Sequence, residues 1–162
     1  MPSQLVIDCS KIIKEHNLTI AFAESATAGR LASEFSLTPD SGAVLKGGLV
    51  CYDACLKEDI LMIPKGFVDE FTPESAEVTK EMALRLKKFI ESGIQVATTG
   101  LPSPGGSETK EKPVGTMFSH ILIGESSIAI HRVFEGTPEE IILQSIDQVA
   151  ETIMNELKEN NP

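Results

Sequence analysis

Apolar residues recur along this chain with two alternating periods. From Ser3 to His16 they fall at helical spacing, with Leu5, Ile7, Cys9, Ile12 and Ile13 on the expected inner face of an amphipathic helix. Leu18 to Ala23 (LTIAFA) is a short unbroken apolar run, which predicts a buried strand. Helical spacing returns from Ser25 to Leu37, with Leu31, Ala32, Phe35 and Leu37 inward, and Pro39-Asp40-Ser41-Gly42 predicts a turn. Val44 to Tyr52 predicts a second strand, in which Gly47-Gly48 allows a bulge or a close backbone approach. Asp53 is placed to cap a helix to about Met62, stopped by Pro64.

The second half continues the alternation. Pro73 to Ser92 predicts a long helix with Val78, Met82, Leu86 and Phe89-Ile90 inward, closed by Gly93. Ile94 to Thr99 predicts another buried strand, and a Gly- and Pro-punctuated loop runs from Gly100 to Pro113. Val114 to Ile123 and Ser126 to Phe134 predict a hairpin around Gly124-Glu125, so the sheet should be mixed rather than fully parallel. Thr137 is placed to cap a last helix to about Lys158, with Ile141, Ile142, Ile146, Val149, Ile153 and Leu157 inward, and the acids from Glu135 to Glu140 suit its start. No repeat or linker interrupts this order, which predicts one domain over residues 1–162: a sheet covered on both faces by helices.

Composition narrows the picture. At 162 residues and 41% apolar, the chain can sustain a core, which must be aliphatic given no Trp and one Tyr. A net charge of −10 argues against nucleic acid as a partner, though not against a small anion held locally. Cys9, Cys51 and Cys55 are an odd set without a leader segment, read as reduced thiols of a cytoplasmic protein and as small buried residues. No His or Cys pair completes a zinc site with Cys51 and Cys55, so no metal is expected. No stretch approaches the ~20 apolar residues of a membrane span.

Chemistry can sit in three places where strands give way to loops. Ala23-Glu24-Ser25-Ala26-Thr27-Ala28-Gly29 passes from a strand into a helix. A serine there has backbone N–H groups at hand to stabilise an oxyanion or a phosphate; alternatively Ser25 or Thr27 simply caps the helix. Tyr52 and Lys57 follow the second strand. A lysine kept partly neutral can deprotonate a serine, and Tyr52 can orient it or relay a proton. The spacing is one longer than the Tyr-x-x-x-Lys of short-chain dehydrogenases, and no dinucleotide fingerprint accompanies it. The third place is Thr98 to Gly106, followed by Lys112-Pro113-Val114-Gly115-Thr116. It is not a Walker loop, because the Gly-Lys-Ser/Thr ending is absent.

The order of these stretches carries more than any one of them. An Ala-Glu-Ser turn, a Gly-Gly strand ending in Tyr-x-x-x-x-Lys, a Thr-Gly to Pro-Gly-Gly loop, then Lys-Pro-Val-Gly-Thr resemble the CinA C-terminal family, the nicotinamide-nucleotide amidases, from about Leu5 to Leu157. The chain looks like the stand-alone form of that domain. The resemblance implies a three-layer α/β/α sandwich with a mixed, mostly parallel sheet. It implies hydrolysis of the carboxamide of nicotinamide mononucleotide to nicotinate mononucleotide and ammonia, with no cofactor. Carried over, Ser25 is the nucleophile, Lys57 its base and Tyr52 the partner of Lys57. Glu24, Thr27, Gly29, Thr99, Gly100, Gly105 and Gly106 surround the substrate. A homodimer or higher homo-oligomer is also expected.

The chain departs from the family pattern around these residues. Ala26 and Ala28 stand for a Cys and a Gly, and Asp53-Ala54 for Ser-Asn. Pro138 and Ile142 stand for two arginines. Two other readings therefore stay open: a family member that binds a nucleotide or partner without chemistry, and an amidase or esterase for an unphosphorylated substrate.

Overall fold

The computed structural model describes residues 1–160. In chain order the elements are α1 (Gln4–Glu15), β1 (Ile20–Glu24), α2 (Arg30–Ser36), α3 (Ser41–Val44), β2 (Leu45–Val50), α4 (Ala54–Asp59), α5 (Phe67–Phe71), α6 (Ala76–Phe89), β3 (Ile94–Gly100), β4 (Thr116–Ile123), β5 (Ser126–Val133) and α7 (Pro138–Glu159). The strands form one sheet in the order β2-β1-β3-β4-β5. β1 pairs in parallel with both β2 and β3, while β4 runs antiparallel between β3 and β5. Four of the five strands therefore point the same way, as the mixed, mostly parallel expectation requires.

Alternation along the central strands sorts the core into two layers. Ile20 and Phe22 of β1, with Val96 of β3, pack with Cys9, Ile13, Phe35 and Ile153 from α1, α2 and α7. The opposite face offers only Ala21, Ala23 and Ala97 at the sheet centre, small residues that let Met82 and Leu86 of α6 lie close, beside Leu61, Ile63 and Val68. Helices thus cover both faces, and the sandwich has three layers. No helix among the described residues is long and apolar enough to cross a membrane.

Several boundaries differ from the expectation, each for a local reason. The run from Ser25 does not become helical until Arg30, because Ala28 (φ 47°) and Gly29 (φ 91°) both turn left-handed. The Pro39–Gly42 turn is replaced by the single helical turn α3, and α5, over Phe67–Phe71, was not predicted at all. The long helix starts at Ala76, where the Ser75 hydroxyl accepts the Val78 N–H, and it ends at Phe89. Gly93 does not close it: a Cβ there would lie 2.7 Å from Leu18, so the glycine serves a close approach. Val6 and Ser10, not Leu5 and Ile7, join Cys9 on the inner face of α1, and Leu37 and Phe89 lie exposed.

Other expectations hold. Asp53 caps α4, accepting the Cys55 N–H at 3.0 Å. Thr137 and Glu140 form a reciprocal capping box at α7. The Gly47-Gly48 pair provides both alternatives. Ile20 pairs with Leu45 and Ala21 with Gly47, leaving Lys46 as an extra residue, and a Cβ on Gly48 would meet the Phe22 carbonyl at 2.8 Å.

β1, β2 and β3 share a direction, so their carboxyl ends open on one edge of the sheet, where β4 begins. Two devices organise that edge. Glu24 closes β1 with a buried carboxylate: Oε2 accepts the Thr27 hydroxyl (2.6 Å) and the N–H groups of Gly29 and Leu31 (both 3.0 Å), and Oε1 accepts the Ala32 N–H (2.9 Å). This carboxylate caps α2 and holds the turn that precedes it. The second device is Gly115, at φ 98°, whose N–H reaches the Leu101 carbonyl (2.7 Å) and whose carbonyl takes the Phe134 N–H (2.9 Å).

Two substitutions test these devices by urea denaturation. Glu24→Gln sets an amide NH₂ among backbone donors and is expected to lower stability by about 2–4 kcal/mol. Gly115→Ala places a methyl 2.1 Å from the Phe134 carbonyl oxygen in a left-handed conformation. It should cost about 2 kcal/mol or more.

Candidate active site

Ser25 follows directly on Glu24. Its own N–H donates to the Thr98 carbonyl on β3 (3.0 Å), and its carbonyl accepts the Ala28 N–H (3.0 Å). Both ends of the residue are thus fixed, one to the sheet and one to the turn. The N–H groups of Ala26 and Thr27, next in line, find no acceptor among the described residues. Of the two residues only Ala26 lines the cleft described below, so its N–H is the donor placed for an oxyanion formed on a ligand of Ser25. The Ala26 methyl is buried with Met117 and Ile141, which leaves the following backbone little room to shift.

Lys57 reaches the serine from α4. Its Nζ lies 3.0 Å from Ser25 Oγ and 3.1 Å from the Cys51 carbonyl oxygen, and the residue is 1% exposed. Cys51 is itself fixed by its N–H, which donates to the Glu24 carbonyl (2.7 Å). No carboxylate stands within 4.0 Å of Lys57 Nζ among the described residues. Burial therefore dominates and lowers the pKa of the amine below the ordinary lysine value, with the field of Glu74 opposing it most. A neutral Lys57 in this geometry gives one N–H to the Cys51 carbonyl and turns its lone pair to the Ser25 hydroxyl.

A cleft of about 230 Å³ opens in front of this pair. Ser25 and Ala26 form one side, Tyr52 and Glu74 others, and the segment from Gly100 to Gly106 the wall. The wall is tightly fitted: a Cβ on Gly100 would meet Met117 Sδ at 2.3 Å, and one on Gly106 would meet Leu101 Cδ2 at 2.5 Å. Gly105, at φ 100°, gives its N–H to Glu108 Oε1 (2.8 Å). Lys112 braces the loop from behind, donating to Thr72 Oγ1 (2.9 Å), the Glu74 carbonyl (2.8 Å) and Ser107 Oγ (2.8 Å). Lys112-Pro113-Val114-Gly115-Thr116 is thus an architectural clasp for the cleft wall.

The expected site residues divide accordingly. Ser25, Lys57, Tyr52, Gly100, Gly105 and Gly106 come together at or directly behind the cleft. Tyr52 does not partner Lys57: the tyrosine is 66% exposed and the Cys51 carbonyl takes the place expected for it. Glu24, Thr27, Gly29 and Thr99 do not line the cleft. The Glu24 carboxylate is consumed by the α2 cap, Thr27 Oγ1 bonds Glu24 and Thr98 Oγ1, and Thr99 Oγ1 bonds Thr79 (2.8 Å). Ala28 is exposed away from the cleft, so its methyl does not crowd a ligand. Asp53 is likewise exposed, and the Cys55 N–H it accepts holds its carboxyl below the usual range. Cys9 and Cys51 are buried as expected, with Cys9 pushed up to about 12 by burial, but Cys55 is exposed.

Glu74, which lines the cleft, and the Cys51 carbonyl, which holds Lys57, are the groups that the sequence pattern missed. An acid just before a helix reads as ordinary N-terminal charge, and a backbone carbonyl carries no signature at all.

Known proteins share this architecture. Chains from Klebsiella pneumoniae (a CinA superfamily protein; TM-score 0.89, 20% identity, 96% of this chain and 97% of that one) and Agrobacterium tumefaciens (competence/damage inducible protein CihA; TM-score 0.87, 24% identity, 98% of both) have the same fold. CinA-like proteins from Petrotoga mobilis and Thermotoga neapolitana are 38% and 34% identical over 85% and 92% of this chain. The chain spans about a third of the length of these curated relatives, 34% and 36%. The CinA C-terminal domain family matches residues 3–157, and the chain belongs to it.

Proposed function

We propose that this domain is a serine amidohydrolase that converts nicotinamide mononucleotide to nicotinate mononucleotide and ammonia. One observation carries the reading: Lys57 Nζ, buried and without a carboxylate partner, lies 3.0 Å from Ser25 Oγ at the floor of a cleft. The choice of carboxamide follows the family.

In this reading neutral Lys57 takes the Ser25 hydroxyl proton as Oγ attacks the carboxamide carbon. The carbonyl oxygen gains negative charge, which the free N–H of Ala26 in the cleft lining is available to receive. Lys57 then gives its proton to the departing nitrogen, the C–N bond breaks, and ammonia leaves an ester on Ser25. Water attacks that ester while Lys57 accepts its proton. The ester bond breaks, the proton returns to Ser25 Oγ, and the acid is released. The cycle consumes one water and leaves Ser25 and Lys57 unchanged.

The cleft lining supports a second reading on one point. Among the described residues no Lys or Arg side chain lines it, Glu74 does, and Pro138 and Ile142 stand where the family pattern has two arginines. A carboxamide without a phosphate meets that lining with less repulsion.

Ammonia release separates these readings. It is expected from nicotinamide mononucleotide with the parent protein and to fall by about 10³-fold or more in Ser25→Ala. Undiminished release from that variant would remove the nucleophile assignment. Release from nicotinamide riboside but not from the mononucleotide would select the second reading.

The lysine gives two further expectations. As a base it must be deprotonated, so kcat/KM should rise with pH and level off below the ordinary lysine value of 10.5. Its folded pKa is lowered, so between the folded and unfolded values the unfolded chain binds more protons. Stability attributable to Lys57 therefore increases as pH rises through that window. Lys57→Met should abolish turnover while being no less stable than the parent at neutral pH, and that advantage should shrink as pH approaches 10.5. Thermal melts of both proteins across this range check the sign.

A further inference from the structure

The cleft contains an ionisable side chain to which the proposed chemistry gives no task. Glu74 lies in the turn before α6, just after Thr72, a non-glycine residue at φ 69°. The Ser107 hydroxyl donates to its Oε2, and Lys112 holds its main-chain carbonyl at 2.8 Å. The side chain is half-buried, yet no Lys or Arg nitrogen comes within 4.0 Å of its carboxylate among the described residues. Lys112 stands one hydroxyl away, with its recorded bonds going to Thr72, Ser107 and the Glu74 main chain.

A second acid reinforces the first. Glu74 Oε1 and Glu108 Oε2 lie 3.8 and 3.7 Å from where a Cβ on Gly106 would stand, so two carboxylates converge on one glycine of the cleft wall. Glu108 bonds the Gly105 N–H, which fixes it there. Among the described residues no Lys or Arg lines the cleft, and Glu74 is the one acid that does. A half-enclosed carboxylate with no cation in direct contact favours a ligand that brings one.

We propose that Glu74 is a specificity-determining residue that selects carboxamides carried on a cationic ring, a pyridinium, over neutral ones. The proposal rests on the reading of this cleft as the carboxamide site. A pyridinium suits it better than an ammonium, because its charge is spread over a ring that sheds water easily. The preference also favours turnover: hydrolysis gives the ring a carboxylate of its own, so the product is less strongly held than the substrate.

The test uses two ligands with the same ribose and phosphate: nicotinamide mononucleotide and its reduced, dihydropyridine form, in which an added hydride removes the ring charge. Dissociation constants are measured by calorimetry in Ser25→Ala, where turnover does not interfere. The oxidised form is expected to bind about five- to tenfold more tightly, with the ratio falling as salt rises. Adding Glu74→Gln, which keeps an acceptor for Ser107, should bring the two ligands to parity by weakening the oxidised form alone. Parity already in Ser25→Ala, a preference that survives Glu74→Gln, equal weakening of both ligands, or binding of neither would each overturn the proposal. Ammonia release by the parent protein accompanied by parity would remove only this proposal. A charge preference without ammonia release would remove only the amidase reading.

Discussion

Glu24 ends β1 with a carboxylate that is 1% exposed and accepts four hydrogen bonds from the turn and helix that follow. A charge at that depth is tolerable only because donors surround it, and three of them are backbone N–H groups in and around the first turn of α2. The arrangement needs the left-handed pair Ala28-Gly29 to bring those groups round, and it fixes where the intervening residues can go. Ser25 lies within that constrained segment. The main chain of Glu24 also accepts the Cys51 N–H, and the next carbonyl along, that of Cys51, holds Lys57. Nucleophile and candidate base are thus both referred to one strand terminus.

Much of the fold could be read along the chain, because a period of two or of 3.6 is a local property. Phe22 and Ala23 could be placed on a buried strand and Met82 and Leu86 on one helix face without knowing their partners. Errors arose where phase or punctuation was ambiguous. Leu5 and Ile7 fit a helical stripe nearly as well as Val6, and only packing against α7 decides between them. Phe67 to Phe71 is too short to show a period. Ser25 to Gly29 has the composition of a helix start, and the left-handed Ala28 that delays the helix to Arg30 cannot be told from sequence.

The candidate site was legible to a different depth. Ser25 and Lys57 were nominated by motif order, but their contact spans 32 residues of chain and exists only because β1 and β2 are neighbours. Glu24 was expected near the substrate because it sits in the same motif; its carboxylate serves a cap instead. Tyr52 was assigned to Lys57 by proximity in sequence, whereas the strand end turns the tyrosine outward and leaves a backbone carbonyl in its place. Lys112 and Gly115 belong to the most specific motif in the chain and touch no ligand site directly; they fasten the wall that does. Motif strength here measures geometric constraint as readily as chemistry.

The lysine sits on α4, a helix of six residues, from Ala54 to Asp59. So short a helix has no independent stability and is held by its Asp53 cap and by Leu61 and Ile63 in the layer beneath. Local opening of such a segment requires less free energy than unfolding the sheet. Opening also admits water around Nζ, which restores the ordinary basicity of the amine. On the proposed chemistry the catalytic state is therefore a more fragile quantity than the fold, and heating would silence the enzyme at temperatures where the sandwich is still intact.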